Sequence, residues 1–455
     1  MSIVIVGVGE MGYQLARRLA LEKRDVFVID RHPDRISLVQ NNLDVGALLG
    51  RGSSPAVLEQ AGIAKASILI AVTDSDEVNL VACYVAGRMN GFMTKVARLR
   101  SDDFSDYPEM LDRQHLGVDL VISPESEAVS RLIKVLQIPV ATDVVDFADG
   151  RIRLFGLLLT PDSPLVGRSL IDLREEFRGE RVLIPAIFRD SEAIIPRGRD
   201  VLRAYDTAYV IVAQDSVDRV IELLGLQGDP LKSFMILGGT SAGVKTAKEL
   251  EKLGVSHIRL VEADPARCEE IASELDSTMV LKTGSVDEEF LRSEGISGMD
   301  SFLAMTDDDE HNALTALLAK RLGARRVAAR TNKLEYHRLA SALGVDVVTN
   351  PRLAGASRIL QFIRKGRVIS VSMLPGEEVE AIEFEAMETS KLVGKPLKKV
   401  GFPEGAILGA VERSRQVFIP NGETVIEPGD RAIVFARREA IPKVEKLLMV
   451  KLEFF

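Results

Sequence analysis

The chain has 455 residues, about three domains' worth of sequence. With 46% hydrophobic and 27% charged residues, it has the balance of a folded globular protein and not of a disordered one. The 58 Lys and Arg against 67 Asp and Glu leave a formal charge of −9, and Trp is absent, which argues against a nucleic-acid coat and against base-stacking platforms.

Short β-branched runs alternate with helical stretches from the start. Residues 2–6 predict a strand, 10–22 a helix, 26–30 a strand and 34–41 a helix. The alternation continues with strand 45–49, helix 54–61, strand 67–72, helix 76–89 and strand 94–99. An amphipathic helix over Ser126–Val135 leads out of this first lobe. Such alternation predicts an α/β fold with a doubly wound parallel sheet.

Between the first strand and helix stands Gly7-x-Gly9-x-x-Gly12. The first glycine permits the turn, the second lets a pyrophosphate approach the backbone, and the third lets helix and sheet pack closely. The helix N-terminus then offers free N–H groups to phosphate. Asp30 ends the second strand, where a carboxylate accepts hydrogen bonds from both ribose hydroxyls and repels a 2′-phosphate, favouring NAD over NADP. Glu10, Met11 and Arg31 flank these positions. The bland reading is a sheet that keeps the loop and binds nothing.

Gly52 and Ser53 follow the third strand, Thr73 and Asp74 the fourth, and Arg98 and Arg100 lie at the end of the fifth. Asp74-x-x-Glu77 reads as a capping box, with nucleotide contact as a second role for the same loop. Arg98 and Arg100 suit a ligand phosphate, a neighbouring subunit or a plain surface ion pair.

The chain then repeats itself. Gly7 aligns with Gly238 and Asp30 with Glu262, while "LIAVTDSDEVNL" returns as "FLAMTDDDEHNA". "SPLVGRSLIDL" returns as "SKLVGKPLKKV", so large and small lobes alternate twice: a tandem duplication. The lobes divide as 1–137, 138–227, 228–365 and 366–455, with Gly225–Lys232 the clearest linker and the small lobes read as α+β. In the second glycine loop, Gly238-Gly239-Thr240-Ser241-Ala242-Gly243, Thr240 replaces Gly9 and brings a side chain toward the phosphates, or a hydroxyl that donates to them. Gly284, Ser285, Thr306 and Asp307 repeat the remaining positions, and Asp307-x-x-Glu310 the capping box.

The two cysteines, Cys83 and Cys268, make neither a disulfide framework nor a metal quartet, which fits a reducing cytosol. The five histidines have no metal-ligand spacing, and Asp162, Glu377, Glu378 and Glu388 make no calcium loop. No apolar run reaches the length of a membrane span.

The glycine loops with Asp30, the segments 73–82 and 306–320 and the paired small-lobe motifs resemble the tandem-RCK cytosolic regulatory subunits of Trk-type potassium uptake systems, over essentially the whole chain. The resemblance implies Rossmann-like RCK N-lobes and small RCK C-lobes, with N-lobes paired through a crossover helix. It implies NAD or NADH at the first lobe, ATP or ADP at either, and a homo-oligomer, usually a tetramer, docked on a membrane-embedded Trk/Ktr-type potassium transporter subunit. The chain is then cytoplasmic, held peripherally at the inner membrane by that partner, without nucleic acid. The implied nucleotide residues are Gly7, Gly9, Gly12, Asp30, Gly52, Thr73, Asp74 and Arg98, with Gly238, Gly239, Glu262, Gly284, Thr306 and Asp307 in the second half. Arg51, where the family commonly has an acid, and Thr240 are departures that favour a mononucleotide.

The resulting expectation is a nucleotide-sensing regulatory subunit that gates potassium uptake and is not an enzyme. An NAD-dependent oxidoreductase is the alternative; it needs a proton relay beside the nicotinamide, and His115, on an expected surface helix, does not supply one. A DNA-binding repressor lacks a basic helix pair. The small lobes suit either a second effector or assembly.

Overall fold

The computed structural model describes residues 2–101, 104, 107–112, 115–177, 179–190, 192–226, 231–363, 368–374 and 379–448. Residues 227–230 of the expected linker, Glu377, Glu378 and the C-terminal "KLEFF" lie outside the described residues.

The first large lobe runs β1 (Ser2–Val6), α1 (Glu10–Leu21), β2 (Asp25–Asp30), α2 (Pro33–Asn42), β3 (Gly46–Leu49), α3 (Pro55–Gln60), β4 (Ile68–Ala71), α4 (Asp76–Met89), β5 (Thr94–Arg98), β6 (Leu120–Ile122) and α5 (Pro124–Leu136). Its strands pair in the order β3-β2-β1-β4-β5-β6, all parallel. That order reverses direction between β1 and β4, which opens a crevice at the carboxyl ends of those strands. Ile3, Val4 and Ile5 of β1 are wholly buried, at about 1.5–3 kcal/mol each. Met11, Leu15 and Leu19 recur at helical spacing on α1 and form its buried stripe.

The first small lobe contains β7 (Asp143–Phe147), β8 (Ile152–Leu158), α6 (Leu170–Glu176), β9 (Val182–Arg189), β10 (Glu192–Ile194), β11 (Thr207–Ala213) and α7 (Val217–Leu223). Its antiparallel sheet is ordered β10-β9-β11-β8-β7.

The second large lobe repeats the first: β12 (Ser233–Leu237), α8 (Ser241–Lys252), β13 (His257–Glu262), α9 (Pro265–Glu274), β14 (Met279–Lys282), α10 (Glu288–Ser293), β15 (Ser301–Ala304), α11 (Asp309–Arg321), β16 (Arg326–Arg330), α12 (Leu334–Ala342), β17 (Val347–Thr349) and α13 (Pro351–Ile363). Its order, β14-β13-β12-β15-β16-β17, matches that of the first lobe strand for strand.

The second small lobe has β18 (Val368–Met373), β19 (Val379–Glu385), β20 (Ala406–Arg413), β21 (Gln416–Phe418), β22 (Arg431–Arg437) and α14 (Ile441–Leu448), ordered β18-β19-β22-β20-β21. Each small lobe holds a bidentate ion pair on a buried aspartate, Arg189–Asp206 and Arg413–Asp430, both at 2.7–2.8 Å. The duplication therefore extends to individual side-chain bonds.

Like lobes pack with like. Residues 1–132 and 232–363 form one compact unit, 133–231 and 364–455 the other. In the first unit α13 lies on α1: a Cβ on Gly355 would stand 3.3 Å from Met11 Sδ and from Pro124 Cβ. Lys245 Nζ donates to Ser126 Oγ at 2.9 Å, joining α8 to α5. In the second unit the small lobes share an apolar core that includes Phe147, Ile211, Val379 and Phe435. Among the described residues, no helix is long and apolar enough to cross a membrane.

Candidate functional site

The Gly7–Gly12 turn has little freedom to be anything else. Gly7 has φ of 96°, and a Cβ on Gly12 would lie 1.9 Å from the Gly7 carbonyl oxygen. Gly9 is different: a Cβ there would meet nothing nearer than Arg35 Nη1 at 3.9 Å. Gly9 is also the residue before α1, and no side chain caps that helix start, so its first-turn N–H groups are left without a cap. Gly52 is needed for contact of another kind, since a Cβ would fall 2.0 Å from Val6 Cγ1.

Asp30 is buried at the end of β2. Its Oδ2 accepts the Val8 N–H at 2.7 Å, which ties the acid to the glycine loop. Its Oδ1 accepts the His32 N–H and faces His32 Nδ1, each at 2.9 Å, and Arg35 Nη1 lies 3.5 Å from Oδ2. Burial alone would raise the carboxyl, but the two backbone N–H groups, the His32 ring and the Arg35 charge outweigh it and hold it below the usual aspartate value. His32 and Arg35 were not among the sequence candidates; the spacing from Asp30 was visible, but the inward turn of their side chains was not.

Neither capping box forms on the expected residue. The cap of α4 is Ser75, which accepts from Val78 N, and the cap of α11 is Asp308, which accepts from His311 N. The box reading placed the cap one residue early. Asp74 is exposed, 3.9 Å from Arg31, and Asp307 is exposed with Arg330 Nη1 at 2.5 Å.

What shapes these loops is a pair of asparagines that sequence reasoning missed. Asn79 is fully buried on α4; its Oδ1 accepts from Thr73 N and Oγ1 at 2.8 and 2.7 Å, and its Nδ2 donates to the carbonyls of Thr73 and Arg98. Asn312 does the same for Thr306 and Arg330. The available signal was the doubled "TD-x-D-x-x-N" spacing. Asp76 adds a second tie by accepting from Arg100 N and Ser101 N.

Arg98 ends β5 with its Nε buried and without a hydrogen-bond partner. Burial, then the charges of Arg100 and of Arg352 on α13, push this guanidinium below the usual arginine value. Met11 is buried against Gly355, and Glu10 is exposed beside Gln14. His115 sits in a turn and not on a helix, with Asp112 Oδ1 2.9 Å from its Nδ1.

The second lobe is built alike but less open. Thr240 caps α8, accepting from Gly243 N at 3.2 Å and donating to the Met305 carbonyl at 2.7 Å. Its hydroxyl is spent within the fold, and one first-turn N–H is already satisfied. Glu262 accepts from Gly239 N, Ala263 N and Asp264 N. Gly284 stands in open space after β14, and the Thr283 hydroxyl donates to the Ser285 carbonyl.

Two Rossmann-like lobes, each followed by a small antiparallel lobe, define the tandem RCK class of protein. The RCK domain of GsuK matches with a TM-score of 0.60 at 18% identity, covering 98% of this chain and 95% of that one. A structure described as the GsuK channel bound to NAD also scores 0.60 at 18% identity, over 98% and 79%. The TrkA-N domain model matches residues 3–124 and 234–351, and the TrkA-C domain model 154–225 and 381–449.

The chain belongs to the TrkA family of Trk system potassium uptake proteins. It is 40% identical to the TrkA of Azorhizobium caulinodans and 34% identical to that of Halomonas elongata, each over 100% of both chains.

Proposed function

We propose that this protein is a nucleotide-sensing regulatory subunit that gates a membrane-embedded potassium transporter. The four lobes bounded at 137, 227 and 365 are its working parts. The observation that carries the reading is the Val8 N–H bond to Asp30, which sets the acid beside an uncapped helix start and an open Gly9. Gly7, Gly9 and Gly12 would cradle the pyrophosphate of NAD or NADH, with the N–H groups of Glu10 and Met11 facing it. Asp30 would hold the adenosine ribose, and Gly52, Ser53, Thr73 and Asp74 would line the crevice. The half-buried Arg98 supplies positive charge, with its buried Nε without a hydrogen-bond partner.

The second lobe, through Gly238, Gly239, Gly243, Glu262, Gly284, Ser285, Thr306 and Asp307, would bind a nucleotide less tightly. Thr240 already satisfies one donor there. ATP or ADP would compete at either lobe. Gating follows as a population shift: a nucleotide that prefers one lobe arrangement stabilises it, and equal affinity for both shifts nothing. A cytoplasmic homo-oligomer, a tetramer, docked on its transporter would transmit the change. No nucleic acid and no catalysis enter this reading.

The test is thermal unfolding with NAD, NADH, NADP, ATP and ADP, each beside Asp30→Ala. A ligand at about 100 times its dissociation constant adds roughly 2.7 kcal/mol. Stabilisation by NAD(H) or ATP/ADP, weak with NADP and absent in Asp30→Ala, is expected. No shift with any of them overturns the reading.

A further inference from the structure

Position 264, the residue before α9, is an aspartate whose carboxylate caps that helix through Ala266 N at 2.9 Å. The matching residue before α2 is His32, which makes no cap. Its ring turns back instead, with Nδ1 2.9 Å from Asp30 Oδ1. A carboxylate only accepts, so Nδ1 carries the proton in this contact.

The consequence is a crowded carboxylate. Asp30 has about four lone-pair positions. Val8 N, His32 N and the His32 ring take three, and Arg35 stands 3.5 Å from Oδ2. A ribose diol brings two further donors. The backbone bonds belong to the glycine loop and the strand end, so the ring is the partner that gives way. Glu262 in the second lobe is held by three backbone N–H groups and, among the described residues, by no side-chain donor.

We propose that His32 is a built-in competitor for the ribose carboxylate, which lowers nucleotide affinity at the first lobe. This rests on the nucleotide-binding reading above and adds the residue that tunes it. The bond from the ring to Asp30 must be given up before the ribose diol takes its place on the carboxylate.

The experiment is calorimetric titration of the full chain with NAD, and in parallel with ADP and ATP. Wild type is compared with His32→Asn, which supplies a good helix cap and so keeps the fold. We expect His32→Asn to bind NAD about five-fold more tightly than wild type. Equal or weaker binding by His32→Asn overturns the role of His32 and leaves the nucleotide reading standing. No binding of NAD, ADP or ATP to either protein overturns both.

Discussion

Asp30 carries more of the first lobe's order than its one side chain suggests. Its folded carboxyl is held below the ordinary value, so its contribution to stability is present above the unfolded aspartate pKa. That contribution is lost as the pH falls through the lower, folded value, which means below about pH 4. Acid titration followed by circular dichroism should therefore find Asp30→Asn less sensitive to acid than wild type. Gly12→Ala tests the turn itself. A Cβ 1.9 Å from a backbone carbonyl cannot be absorbed by a flexible side chain. We expect a loss of about 1–3 kcal/mol in chemical denaturation, and loss of nucleotide-dependent stabilisation.

At the scale of elements, the loops after β4 and β15 take their shape from the helices that follow them. Asn79 reaches from α4 to the ends of two strands with all its bonding capacity in use inside the fold. Asn79→Ala leaves the Thr73 N–H and the Arg98 carbonyl without their partner in a buried site. It should cost about 2–4 kcal/mol and raise hydrogen exchange across residues 72–79 and 98–101. The start of α8 offers the opposite experiment. Thr240→Gly frees the Gly243 N–H and clears the space that Gly9 leaves open in the first lobe. We expect tighter nucleotide binding at the second lobe, read as a rise in stoichiometry at fixed ligand, with cap loss of a few tenths to about 2 kcal/mol.

Across the whole molecule, the duplicated halves interlock by pairing like lobes. The small lobes meet through charge as well as apolar surface. Arg431 binds Glu383 at 2.8 Å and Asp149 at 2.6 Å, and Arg151 binds Glu412 at 3.2 Å. Glu383 also accepts the Ala148 N–H at 3.0 Å, fastening a turn in which Ala148 and Asp149 have positive φ. Glu383 and Glu412 are only 3% and 6% exposed, so removing the arginine strands buried charge. Arg431→Ala should destabilise this pair of lobes by about 3–5 kcal/mol. Peptide-level hydrogen exchange should rise in 143–158, 379–385 and 431–437, leaving nucleotide protection of the glycine loops in place.

Much of this was legible in the chain itself. Strand and helix periodicity, the glycine spacing and the two-fold repeat are local patterns, set by which residues pack on a pleated or helical surface, so they survive without knowledge of contacts. The small-lobe repeat was legible for the same reason. The caps were misplaced by one residue because Asp74 and Ser75, or Asp307 and Asp308, are equally good cap formers, and only backbone geometry chooses between them. The Asn79 and Asn312 clips, the inward turn of His32, the use of the Thr240 hydroxyl within the fold and the Arg431 network depend on side-chain direction and on partners far along the chain. The sequence by itself determined a duplicated pair of Rossmann-like and small lobes with an acid at the end of each second strand. Which donors remain free at each helix start, and what already holds that acid, were decided only when the chain closed on itself, because hydrogen-bond satisfaction is a property of three-dimensional neighbours.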